Sequence, residues 1–84
     1  MINHDIVNEL YKNIIKYSID SLCPISRESL SIEVGYKLQF INLKIAAKID
    51  KDFGDTCLAI IRKATQVIME EHSLDGIGLS YEII

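Results

Sequence analysis

The chain has 84 residues, 49% hydrophobic and 25% charged, with 12 acidic against 9 basic residues and a net charge of −3. That length supports one domain, residues 1–84, with a thin core and a total stability of about 4 to 13 kcal/mol. The acidic balance and scattered bases argue against a nucleic-acid surface, and no apolar run approaches the ~18 residues of a membrane-spanning helix.

The opening decapeptide MINHDIVNEL carries an acid and no base before its apolar positions, so no signal peptide and no membrane insertion are expected. Residues 3–20 read as a helix: Asn3 can cap it, Asp5 suits its positive end, and Ile6, Val7, Leu10, Tyr11, Ile14 and Ile15 recur at helical spacing. Pro24 is the stop signal, because it lacks an amide hydrogen and biases Cys23 away from helical angles. Leu30, Ile32 and Val34 then alternate with Ser31 and Glu33 as a first strand, and Gly35 is expected to begin the turn into a second.

The second strand changes parity. Its apolar residues fall on even positions first (Tyr36, Leu38, Phe40) and then on odd ones (Ile41, Leu43, Ile45, Ala47, Ile49). A strand points alternate side chains to opposite faces, so such a run is apolar on both faces somewhere along its length. A β-bulge near Phe40 to Asn42 returns the upstream residues to the core; an unbroken strand presents them to a partner. Both accounts stay open at this stage.

The segment KDFGD is turn chemistry, with Asp52 or Asp55 available to cap a second helix over residues 55–72. Asp75 and Gly76 close that helix, and Ile77, Leu79, Tyr81 and Ile83 alternate as a last strand. The expected fold is α+β, a two-layer αββαβ arrangement with two helices packed on one face of a three-stranded sheet. Each helix is apolar over roughly 200°, well beyond the stripe a one-sided surface helix needs. Two such helices leave the far sheet face bare, and a bare apolar face marks an interface.

Short motifs add little chemistry. Asp20-Ser21-Leu22 spells the D-S-L triplet of acyl carrier proteins, but it precedes Pro24, where carriers place a long helix. Cys23 and Cys57 fall in no paired or framework spacing, so both are expected reduced, in a cytoplasmic location. Zinc ligands normally pair at short spacing, and His4, Cys23, Cys57 and His72 do not. Asp50, Asp52 and Asp55 with His72 are the candidate metal ligands, although His72 is expected to serve the last carbonyls of its helix. No nucleophile elbow and no glycine-rich phosphate loop occurs, so neither an enzyme nor a cofactor is expected.

The αββαβ order, with an apolar strand entering the acidic turn Ile49-Asp50-Lys51-Asp52 and then an amphipathic helix, resembles the cytoplasmic C-terminal domain of cation diffusion facilitators across Gly35 to Tyr81. That resemblance implies a dimeric, divalent-metal-binding regulatory domain, but Cys57 and Leu58 stand where that family often has a histidine. Alkaline shock proteins and ribosome-binding factor A, a KH-type RNA binder, are similar in element order; the chain lacks a Gly-x-x-Gly loop. The expected function is a non-enzymatic interaction module, a homodimer or an adaptor or inhibitor of another protein. It binds through an apolar sheet face carrying Tyr36, Leu38 and Phe40; a metal-responsive regulatory domain is the alternative.

Overall fold

The computed structural model describes residues 4–74 and 77–84, and in them the expected α+β order is present. Helix α1 (His4–Asp20) leads through a 3₁₀ turn (Arg27–Ser29) into strands β1 (Leu30–Lys37) and β2 (Phe40–Ala47). A second 3₁₀ turn (Lys51–Phe53) precedes α2 (Gly54–Glu71), and β3 (Gly78–Ile83) ends the chain. The sheet order is β1-β2-β3, with β1 antiparallel and β3 parallel to β2. Parallel neighbours need a crossover, and α2 supplies it. The capping expected of Asn3 and the helix stop expected of Asp75 and Gly76 lie outside the described residues.

The core lies between the helices and one face of the sheet. Leu10 and Ile14 from α1 and Ile61, Ala64 and Ile68 from α2 meet Leu43, Ile45 and Ala47 of β2, all buried. Helical spacing aligns the first two groups, and strand alternation aligns the third. The wide apolar arcs of the helices are used largely within the domain: α1 and α2 pack on each other as well as on the sheet. Two buried hydroxyls are satisfied locally, Ser18 Oγ by the carbonyls of Ile15 and Ile25 and Thr65 Oγ1 by those of Ile61 and Arg62.

The helix ends correct the sequence reading. Leu22 holds a left-handed φ of 55°, and Cys23 N–H donates to Ser18 O at 2.8 Å, the six-to-one bond of a Schellman cap. Ser73, at φ 51°, does the same for α2, with Leu74 N–H donating to Met69 O. The chain thus stops α1 at Asp20, four residues before Pro24, with the left-handed turn at Leu22. Ahead of α2, Asp50 caps the 3₁₀ turn, its side chain accepting Asp52 N–H, whereas α2 itself begins after Phe53 with no side-chain cap, so neither Asp52 nor Asp55 takes the expected role.

Cys23 and Cys57 form a disulfide that ties the chain after α1 to the first turn of α2, with both residues buried. The expectation of two unpaired, reduced thiols is corrected. They lie 34 residues apart, so only the packing of α1 against α2 brings them together. Disulfides persist in oxidising compartments, which removes the reasoning by which the cysteines pointed to the cytoplasm.

Candidate functional site

The parity change at Phe40 comes from a hairpin, and neither a bulge nor an unbroken strand is present. Strand β1 runs through Gly35 to Lys37, and Lys37 pairs with Phe40, leaving Leu38 and Gln39 as a two-residue turn. Two-residue hairpins match the twist of their strands only when the first turn residue has positive φ, and Leu38 adopts φ 53°. Gly35 instead sits within β1 opposite Asn42. The chain bends at a residue with no turn preference, so the sequence signal at Gly35 misplaced the turn by three positions.

Antiparallel partners share a face, so the register assigns each side chain. Tyr36 pairs with Ile41 on the helix side, Leu38 stands at the tip, and Phe40 lies with Asn42 and Lys44 on the open side. The three residues therefore form an apolar cap around the hairpin end and do not line one sheet face. Tyr36 is 57%, Leu38 97% and Phe40 54% exposed.

The open face itself is polar. Besides Phe40 it presents Ser31, Glu33, Gly35 and Lys37 from β1, Asn42, Lys44 and Ala46 from β2, and Gly78, Ser80 and Glu82 from β3. Lys44 Nζ pairs with Glu82 Oε2 at 2.9 Å. The bond to Glu82, then the charges of Glu82 and Glu33, hold the Lys44 ammonium above its ordinary pKa. An apolar open face was expected from the surplus of apolar residues; helix–helix packing takes up much of that surplus, and the exposed remainder is divided among the hairpin end, Ile19 and Leu22 at the end of α1, Phe53, and Ile83 and Ile84.

The acidic turn and His72 stand at opposite ends of α2, roughly 27 Å apart at 1.5 Å per residue, so Asp50, Asp52 and Asp55 cannot share an ion with His72. What the fold does assemble is a different group, Glu9 of α1 with Glu71 and His72 at the end of α2, whose ligand atoms lie within 4.8 Å of one another. His72 Nε2 meets Glu9 Oε2 at 2.6 Å, with both side chains partly exposed. The ring thus pairs across to α1, while the His72 backbone N–H serves the carbonyls of Ile68 and Glu70. Glu9 carried no sequence signal for this role, since it lies 63 residues from His72.

Ser21 directly follows α1 with its backbone N–H on Tyr17 O, a helix C-terminal position and not the start of a carrier helix. No helix among the described residues is long and apolar enough to cross a membrane. Comparison with protein-family models, with curated proteins and with solved structures finds no match.

Proposed function

We propose that this chain is a non-enzymatic interaction module that binds a protein partner through its hairpin end, with Tyr36, Leu38 and Phe40 as contact residues. The observation that carries this is Leu38 between the exposed Tyr36 and Phe40; Leu22 has a similar φ and is nearly as exposed, but it closes the Schellman cap of α1 and has no aromatic neighbours in the chain. A leucine in left-handed geometry costs about 1 kcal/mol against glycine, and leaving it 97% exposed gains nothing back in the isolated chain. Locally unfavourable choices of this kind collect where a chain has a function to perform. Two flanking aromatic residues, both more than half exposed, supply the flat apolar area that anchors protein contacts.

Capture from an extract of the source cells tests the reading. Immobilised wild-type chain should retain a partner in stoichiometric amount, Leu38→Glu should lose it, and Ile19→Glu, on the exposed flank of α1, should keep it. Equal retention by all three sinks the proposal.

A second reading, a metal-responsive domain, is favoured by one observation, the Glu9, Glu71 and His72 group. Imidazole with two carboxylates suits zinc or manganese, and an ion there would tie the start of α1 to the end of α2. Calorimetry with zinc and manganese decides it: micromolar binding that disappears in His72→Gln supports it, and no heat above dilution removes it.

A further inference from the structure

The two edges of the sheet are finished differently. On β1, the Tyr11 hydroxyl accepts Ile32 N–H at 3.1 Å and donates to Leu30 O at 3.4 Å, so a side chain already occupies the first outward-facing groups of that strand. Arg27 stacks over the Tyr11 ring at 4.4 Å and holds it there. On β3 the alternation is set by Ile84, whose N–H donates inward to Ala47 O at 3.1 Å. Leu79, Tyr81 and Ile83 therefore direct their N–H and C=O groups outward, and no described residue bonds to them. An open edge without lysine or proline is a template for another strand.

Beside that edge runs a groove of about 330 Å³, with Arg62, Gln66, Met69 and Glu70 of α2 above Leu79 and Tyr81. Arg62, Gln66 and Glu70 follow one another at intervals of four on one helix face, with the basic and the acidic residue equally far from Gln66. Within one chain Arg62 and Glu70 are roughly 12 Å apart along the helix axis, too far to pair.

We propose that β3 is a self-association edge, on which a second copy of this chain adds its own β3 antiparallel about a two-fold axis at Tyr81. Tyr81 is the middle residue of the extended segment 78–84, so this register overlaps the whole strand. It pairs Leu79 with Ile83 of the second copy, and the three outward residues of each copy exchange six backbone hydrogen bonds. Glu82 then faces Ser80 of the second copy and meets no like charge, while its own charge stays paired with Lys44. The Tyr81 hydroxyl lies 3.1 Å from Thr65 Oγ1, which places the axis beside Thr65 and Gln66 on α2. Because the axis reverses direction, Arg62 of each copy comes alongside Glu70 of the other. The surface is complementary to itself in hydrogen bonds and in charge, which selects a second copy over an unrelated strand.

This goes beyond the hairpin reading, since the interface is separate from it. The two-fold axis sends the two hairpin ends to opposite ends of a six-stranded sheet and leaves both free, so the dimer is bivalent.

Sedimentation equilibrium across the micromolar range tests it, with circular dichroism to confirm folding. The wild-type chain should be a dimer. Ile83→Pro removes an outward N–H and leaves the inward ladder intact, and should give a folded monomer. Arg62→Glu and Glu70→Arg should each weaken the dimer about tenfold, and the double variant should restore it. That rescue holds even if Ile83→Pro fails to fold. A wild-type monomer throughout the range overturns the proposal, as does a dimer indifferent to the charge reversals. A dimer lost in Phe40→Glu but kept in Ile83→Pro also overturns it, while leaving the hairpin end as a contact surface.

Discussion

Lys37 and Phe40 face each other across the two-residue turn at Leu38 and Gln39, and this pairing decides which side of the sheet every neighbouring residue takes. It sets Phe40 on the open face, more than half exposed, with no core contact to lose. Phe40→Glu is therefore expected to leave a folded, soluble domain, with a melting transition within about 0.5 kcal/mol of wild type, as for surface changes away from special geometry. An unfolded variant in circular dichroism would show instead that Phe40 belongs to the core.

Leu38→Gly relieves left-handed geometry that leucine tolerates poorly, and its side chain touches little in the isolated domain. Denaturant titration should find the variant more stable by about 0.5 to 1 kcal/mol, and the capture of a partner should weaken. Stability and binding moving in opposite directions is the signature of a residue kept for contact. If both fall, Leu38 is holding the hairpin together.

Tyr11→Phe removes the hydroxyl that bridges Ile32 N–H and Leu30 O at the β1 edge. A loss of about 1 kcal/mol is expected, together with faster hydrogen exchange at the Ile32 amide. Unchanged exchange at Ile32 would mean that the edge needs no cap.

The Cys23–Cys57 bridge closes a loop of 34 residues, a constraint on the unfolded chain of about 4 kcal/mol in the loop-entropy treatment. Denatured, unreduced protein should show no titratable thiol, and reduction should lower stability by about 2 to 5 kcal/mol. Against a total of about 4 to 13 kcal/mol, that loss brings the reduced domain close to unfolding. Two free thiols in the purified chain would contradict the bridge.

The helices, the strands and their order along the chain were legible because they rest on local periodicity: Leu10 and Ile14, Ile61 and Ile68, and Leu43, Ile45 and Ala47 repeat at the spacing their elements require. The polar open face was misjudged: Ser31, Glu33, Asn42 and Lys44 mark it locally, but the count of apolar residues led to the expectation of an apolar face. The hairpin turn was hidden, because Leu38 and Gln39 carry none of the residues that favour positive φ, while Gly35 nearby does. The disulfide, and the pairing of His72 with Glu9, join residues 34 and 63 apart. Contacts of that kind exist only once the two helices are packed, so no local pattern announces them.

The central claim is that the hairpin end is the contact surface, and hydroxyl-radical footprinting of the chain, free and bound to its captured partner, tests it most directly. Leu38, Phe40 and Tyr36 are exposed in the free chain and should be oxidised readily. On complex formation all three should become protected, while Ile19, in the last turn of α1, and Leu22, just beyond it, keep their reactivity. Unchanged oxidation at Leu38 and Phe40 in the complex, with protection elsewhere, would contradict the account.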